Sequence, residues 1–482
     1  MENEQLIVNG SIQVYGTLVL KNSKIYVNCT YDGENAIDVF AGGNLTLKGT
    51  LISAYNTSNP YLFKVRQGSS FYAGDSVVEY CGYELNRPVY DHSGLWISAD
   101  GAKLVNCTFR YDYIGVVVYL CSNVELNSCS AYQSAVVNFA FLNSTSISLR
   151  NSIGINCGFE GCVAAINCSD IVVENCEFSG GKYYSIGFWL VSNGFVSNCT
   201  LCNGSSGLWI TESDSITLRD TTVREATTGI ELDESSGVLV QECSISDLRG
   251  GPVPSRAIET YRSSATVVAC DLRDGYYGAY IDGSDGCLFY LNNFVNNTQH
   301  VYAQYSTVQW NSSQYGNYWD NYTGVDEDGD GIGDTPYYID ESNVDYKPLV
   351  GPWQCYYGDS ELPTIVSVDW WPKSPYPDQA VTVAASVTDD CAVYRVILRW
   401  FDGTWHQVEM AYNETSGLYE AQIPPREWQT SVTFYVIVYD FSGNVVTSPL
   451  YGYTVVPEFS PAFLVPFLAL ALVYVRRKLE KR

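Results

Sequence analysis

Hydrophobic and polar positions repeat along the first three hundred residues as a six-residue phrase: apolar, two variable positions, a small residue, one variable position, apolar. It runs from Leu20 to Ile25, Leu47 to Ile52, Val78 to Tyr83, Leu104 to Phe109, Leu126 to Ala131, Val173 to Phe178, Val196 to Leu201, Leu218 to Val223, Val240 to Ile245, Val267 to Leu272 and Phe289 to Phe294. Most intervals are about 22 to 24 residues, and self-similarity at such a period marks a stacked solenoid. Within each interval short Val, Ile, Leu and Tyr runs alternate with polar residues and are punctuated by Gly, Asn, Ser and Asp, so the repeats are built of strands. Three strands and three bends per period predict one coil of a right-handed parallel β-helix. About twelve or thirteen coils, roughly 4.8 Å apart, make a rod about 60 Å long.

The pattern changes twice further on. After a linker over 351–362, seven alternating strands in 363–456, separated by Pro, Gly and Asp turns, predict a β-sandwich similar to immunoglobulin and fibronectin III modules. In 457–482 an apolar run is followed by Arg476, Arg477, Lys478, Lys481 and Arg482, which predicts a transmembrane anchor with a cytoplasmic basic tail. Pro457, Glu458 and Phe459, the apolar run and the basic tail together resemble the C-terminal sorting signals of archaeal cell-surface proteins. The expected class is all-β: a β-helix over 1–350, a sandwich and an anchoring helix, with everything before 457 outside the cell. No charged segment followed by an apolar one is visible at the start. Sequons such as Asn56, Asn106, Asn198 and Asn413 fit a glycoprotein.

The net charge of -27 argues against a nucleic-acid partner, which requires a basic stripe. Of 16 cysteines, Cys81, Cys107, Cys129, Cys176, Cys199, Cys243 and Cys270 hold the small position of the phrase. Ser, Thr and Asn replace them there, so the position selects for size, and a ladder of buried free thiols is expected. Neither Cys157, Cys162 and Cys168 nor Cys199 and Cys202 have zinc spacing. Cys355 and Cys391 flank the start of the sandwich, and their pairing is left open.

Two groups of residues carry candidate chemistry. Because side chains alternate across a strand, Trp96, Trp189, Trp209, Glu231, Glu259, Tyr280 and Tyr302 are expected in one outward stripe, with Ser98, Thr211, Asp233, Tyr261, Asp282 and Gln304 beside it. Rings stack on sugars and acids bind hydroxyls, so the stripe suits a glycan chain. The coils from 114 to 170 register poorly and interrupt it. Glu231 and Glu259 fall on adjacent coils, roughly 5 Å apart, and Asp233 and Asp282 two coils apart, nearer 10 Å. Both retaining and inverting glycoside hydrolysis are therefore geometrically open to these four acids. The second group is the loop with Asp326, Asp328, Asp330 and Asp334 between glycines, plus the Ile332 carbonyl: several hard oxygens on a tight backbone, suited to structural Ca²⁺. Tyr337 stands where an EF-hand places its bidentate Glu.

The Gly-Asn-Tyr-Trp run at 316–319, the acidic loop through Tyr337, and Asp345 to Leu349 resemble the end of the β-helix domain in NosD-like proteins, pectin-lyase-like β-helices common on archaeal surfaces. The resemblance covers 1 to about 350 and implies either carbohydrate binding or cleavage, or copper assembly as in NosD itself. Copper needs soft or imidazole ligands gathered together, and the three His (His92, His300, His406) and two Met (Met1, Met410) are scattered. The reading is a surface-anchored protein that binds carbohydrate or serves structurally or adhesively in the envelope, with a polysaccharide hydrolase or lyase as the rival.

Overall fold

The computed structural model describes residues 1–84, 92–251, 253–327, 330–356, 359–389, 393–413 and 415–457. They divide into two compact units, Met1–Val325 with Ile332–Trp353, and Asp326–Gly331 with the chain from Gln354.

The first unit is a parallel β-helix of about thirteen coils. Each coil sends one strand to each of three sheets: a 14-stranded sheet from Gln5–Val8 to Tyr318–Trp319, and two 13-stranded sheets, from Ile12–Val14 to Gln299–Gln304 and from Thr17–Lys21 to Val308–Gln309. Alternation sends one side-chain set inward, and residues such as Leu208, Ile210, Ile230, Leu232 and Phe289 are wholly buried in a single continuous core.

The small residue of the phrase forms a column at one corner. Thr50, Ser76, Cys107, Cys129, Ser152, Cys176, Cys199, Thr221, Cys243, Cys270 and Asn292 each precede strands that pair in register. Ser76, not Cys81, holds the place in its coil. Cys81 lies five residues on, bridged to Tyr61. The column also corrects the reason for the residue choice. Cys107 Sγ, Ser152 Oγ, Cys176 Sγ and Thr221 Oγ1 each donate to the carbonyl two residues back, at 3.4, 2.7, 3.2 and 2.9 Å. The position therefore takes a small group that carries a donor hydrogen, which Ser, Thr and Cys share. A second column unseen in the sequence, Ser144, Cys168, Ser213, Ser235, Ser263 and Ser284, does the same at another corner. Just before the first column, Asn151, Asn175 and Asn198 adopt left-handed φ of 51, 56 and 48°, a region Asn tolerates. Their amides form a ladder with Asn127 at 2.8 to 3.2 Å.

Ladder cysteines are free and buried as expected, while Cys157 and Cys162 form a disulfide that their spacing did not reveal. Cys391 lies outside the described residues. At the C-terminal end of the β-helix, Trp319 stacks on Phe294 at 4.3 Å and Trp310 on Phe289 at 5.0 Å, covering the last coil. Asn317 extends the small-residue column by accepting from Asn292 Nδ2 at 2.9 Å, and Asp345 accepts from Asn317 N and Trp319 Nε1 at 2.8 and 3.0 Å. Burial pushes the Asp345 carboxyl up to about 6. The Gly-Asn-Tyr-Trp and Asp-Tyr-Lys-Pro-Leu elements are thus the two halves of an end cap.

In the second unit, two antiparallel sheets of four and five strands share a core that includes Val383 and Ala385 from one, and Leu398, Phe434 and Val436 from the other. Nine strands are present where alternation predicts seven. The two extra, Ala411–Asn413 and Val445–Thr447, are three residues long, too short to display a period. No helix among the described residues is long and apolar enough to cross a membrane. The expected anchor, from 458 onward, lies outside them.

Candidate functional site

The sheet running from Ile12–Val14 to Gln299–Gln304 carries the outward stripe. Trp209, Glu231, Glu259, Tyr280 and Tyr302 pair in strict succession on five consecutive coils. Thr211, Asp233, Tyr261, Asp282 and Gln304 form the neighbouring column in the same register. Trp189 belongs with this second column, opposite Thr211, and Gly187 stands opposite Trp209. Lining up the Gly-Phe-Trp and Gly-Leu-Trp triplets by their glycines shifts that strand by two residues. A slip of two preserves the face, so Trp189 still points outward. The pairing of Phe188 with Ile210 and Ile186 with Leu208 in the core decides the register.

A third outward column was missed: Tyr184, Ser206, Thr228, Arg256, Tyr277 and Gln299. The residue after each breaks the alternation by also facing the core. A Cβ on Gly229 would run into Ala257 O and Ile245 Cγ2, and one on Gly278 into Phe294 Cδ1. The small second residue of each strand, Gly207, Gly229, Ala257 and Gly278, marks this irregularity, which turns Arg256 and Tyr277 outward beside the acids.

The three columns interact. Ser206 Oγ donates to Glu231 Oε2 at 2.7 Å, Arg256 Nη1 pairs with Glu259 Oε1, and the Arg256 guanidinium lies 4.1 Å from the Tyr280 ring centroid. Tyr280 and Tyr302 stack at 5.0 Å and 18°, Tyr277 packs against both, and Tyr302 Oη donates to Gln304 Oε1 at 3.0 Å. Thr211 Oγ1 donates to Asp233 Oδ2 at 3.3 Å. Burial, then the charges of Glu259 and Asp233, hold the Glu231 carboxyl above its ordinary pKa, against the Ser206 hydrogen bond and the Arg256 charge. Trp209 Nε1 and Arg256 Nε are hidden from solvent without an acceptor.

Toward the N-terminal end the first column reads Trp96, Val117, Ala140, Ala164, Gly187, and the second Tyr119, Leu142, Ile166, Trp189. Val117, Ala140, Leu142, Ala164 and Tyr184 are buried in a separate apolar cluster against which Trp96, Trp189 and Trp209 pack. These coils were expected to interrupt the stripe; they continue its register with aliphatic residues.

In the acidic loop, Asp326 accepts from Asp330 N at 3.1 Å and from Gly331 N at 2.8 Å. Asp334 N donates to Val325 O at 2.9 Å. Ile332 bridges to Leu349, and Asp328 lies outside the described residues. A carboxylate group not anticipated from sequence, Asp359, Asp389 and Asp440, gathers in the second unit with one oxygen from each within 4.8 Å of the others. Asn444 donates to Asp440 from N and Nδ2, both at 2.8 Å.

The residues do not fit copper. His300 is bonded to Asp320 at 2.9 Å in the β-helix and His406 to Asp402 at 3.0 Å in the second unit, where Met410 is in the core. A cysteine binds metal as the thiolate, and burial pushes the thiols of Cys107 to about 11 and of Cys121 and Cys129 to about 12, while the hydrogen bond from Cys176 lowers Cys199.

No curated protein matches the chain. Among solved structures, it is similar to the periplasmic alginate epimerase AlgG, with 9% identity, 62% of this chain and 76% of that chain covered, and a TM-score of 0.43. A family 28 exopolygalacturonase of Yersinia enterocolitica matches with 11% identity, 62% and 72% coverage and a TM-score of 0.40. The alginate lyase of a Paenibacillus species matches with 9% identity, 55% and 94% coverage and a TM-score of 0.31. The model of the family described as periplasmic copper-binding protein (NosD) matches residues 74–242 and 160–324, together just over half of the sequence. The chain therefore belongs to the NosD family.

Proposed function

We propose that the outward face from Ser206–Thr211 to Gln299–Gln304 binds a polysaccharide lying along the helix axis, on a protein held at the outside of the cell. The supporting observation is the unbroken column Trp209, Glu231, Glu259, Tyr280, Tyr302, one residue per coil. A rise of roughly 4.8 Å per coil presents one side chain to about each sugar of an extended chain. Copper handling, named for the family, is disfavoured by the ligand positions. The test is a glycan array probed with the full chain and with Trp209→Ala and Tyr302→Ala. The reading requires a ligand whose signal falls in both variants, and equal signals would remove the column from the argument.

Turnover is a second reading, favoured by one observation: of two neighbouring carboxyls, Glu231 is raised in pKa while Glu259 is ion-paired to Arg256. Such divergence of environment suits an acid and base pair. Release of reducing ends by the wild type, abolished in Glu231→Gln, separates an enzyme from a binder. The acidic loop at 326–334 is proposed to take Ca²⁺, and the apolar segment beyond 457 to anchor the chain. Calcium should raise the melting temperature of the wild type more than that of Asp330→Asn.

A further inference from the structure

We propose that the ligand of this face is a glycan bearing free amino groups, of the glucosamine type, rather than a neutral or uronate polymer. The inference rests on the glycan-face reading and specifies its chemistry.

Glu231, Asp233, Glu259 and Asp282 stand in two adjacent columns across three consecutive coils. One cation enters the same face. Arg256 is bonded to Glu259 and laid over Tyr280, so its charge is already committed. Arg262, at the adjoining turn, pairs with Glu234 at 3.1 Å. Among the described residues Glu231, Asp233 and Asp282 are in no ion pair, and Glu231 receives only a neutral hydroxyl, from Ser206. The face thus offers three carboxylates outside any ion pair, with the Arg256 charge acting on Glu231 from nearby, to whatever lies along it.

A uronate polymer would bring one further negative charge per sugar against this row, and like charges this close repel. A neutral chain would give these acids hydroxyl donors but no countercharge. An ammonium group has three donors and no acceptor, which matches carboxylates that have spare acceptor positions. The spacing agrees as well. Asp233 and Asp282 are two coils apart, roughly 10 Å, so amines on alternate sugars would meet them in turn, with Glu231 on the same coil as Asp233 in the adjacent column. The aromatic members of the column, Trp209, Tyr280 and Tyr302, supply the sugar-facing surface. Glu231's position above its ordinary pKa, partly caused by Glu259 and Asp233, is the same repulsion felt within the protein.

Isothermal calorimetry on the full chain, with a glucosamine hexamer, its N-acetylated form and a hexauronate, tests this. At low salt the free-amine hexamer should bind about tenfold more tightly than the acetylated one, with the uronate weakest. The margin should narrow as salt screens the carboxylates. Asp233→Asn with Asp282→Asn should remove most of that margin, weakening the free-amine hexamer far more than the acetylated one. A control pair on exposed acids of the first coils, Glu2→Gln with Asp32→Asn, should leave it intact, which separates a specific site from general attraction to a chain of net charge -27. Equal or tighter binding of the acetylated or uronate hexamer overturns the amine assignment and leaves the glycan face standing. An equal loss in the control pair also overturns it. Failure of all three hexamers to bind a chain with a native circular dichroism spectrum overturns the amine assignment, and the glycan array decides the wider reading separately.

Discussion

Two stretches of one sheet face share a register and differ in everything else. From Trp96 to Trp189 the outward columns carry Val117, Ala140, Leu142 and Ala164, buried as a satellite of the core. From Trp209 to Gln304 the same columns carry Glu231, Glu259, Asp233, Asp282, Tyr280 and Tyr302, half-exposed and hydrogen-bonded. Parallel strand pairing runs through both, with one register shift, between Gly94 and Leu95, at the start of the first. The coil therefore determines where a column runs, and side-chain identity alone determines whether it is a dry seam or a wet surface. Family membership accordingly says little about function here, since function resides in the site carried by the fold.

The largest test exchanges the two chemistries. Ala140→Glu places a carboxylate in the dry stretch, at the position Glu231 occupies three coils after Ala164 and its neighbours. With no partner there, it should lower unfolding free energy by about 3 kcal/mol or more. Glu231→Ala, the reverse exchange, should cost less than about 1 kcal/mol. Urea denaturation of the pair reads both, and comparable losses would mean that the two stretches are not distinct environments.

Next in size is ligand affinity. Trp209→Ala and Tyr302→Ala should each weaken glycan binding about tenfold, near the upper range for one aromatic contact. Trp96→Ala should not change affinity, because four coils with buried residues in this column, Val117, Ala140, Ala164 and Gly187, separate it from Trp209. An equal loss at Trp96 would extend the binding face through the dry stretch and merge the two regions.

A smaller effect probes what the two regions share. The small-residue column passes through both with the same hydrogen bond, so Cys129→Ala and Cys243→Ala should each cost about 1 kcal/mol, and Cys→Ser at either site less. Divergent costs would show that the scaffold itself differs between the two stretches. This column also shows what sequence made legible. The phrase located one corner because a small donor recurs there in coil after coil, and it failed at Cys81 because apolar, polar and small residues recur there by chance five residues late. The acids and tyrosines of the wet stretch were readable from alternation because core and surface contrast there. Arg256 and Tyr277 were not, since an irregularity at the strand start reverses their expected side. The dry stretch was unreadable for a related reason: Val116, Val117 and Val118 are all buried, so no alternation of polarity distinguishes inward from outward. The Cys157–Cys162 disulfide and the Asp359, Asp389 and Asp440 group depend on contacts that no local spacing encodes.

The subtlest difference between the stretches is electrostatic. Glu231 is raised in the folded chain by burial and by its acidic neighbours, relative to 4.5 for the free side chain. The folded state therefore holds this proton more tightly than the unfolded state. The stabilisation from that proton is fully present below about pH 4.5 and is lost as pH rises through the folded pKa. Glu231→Gln fixes a neutral side chain of the same shape, so its stability relative to wild type should increase over that window and level off above it. The dry stretch has no acid in these columns, so Ala164→Gly should shift stability by an amount that does not vary with pH over the same range. Melting temperatures measured from pH 4 to 8 separate the two behaviours. A Glu231→Gln difference that stays flat would mean that this carboxyl does not feel Glu259 and Asp233, and that the row of acids behaves as independent surface charges.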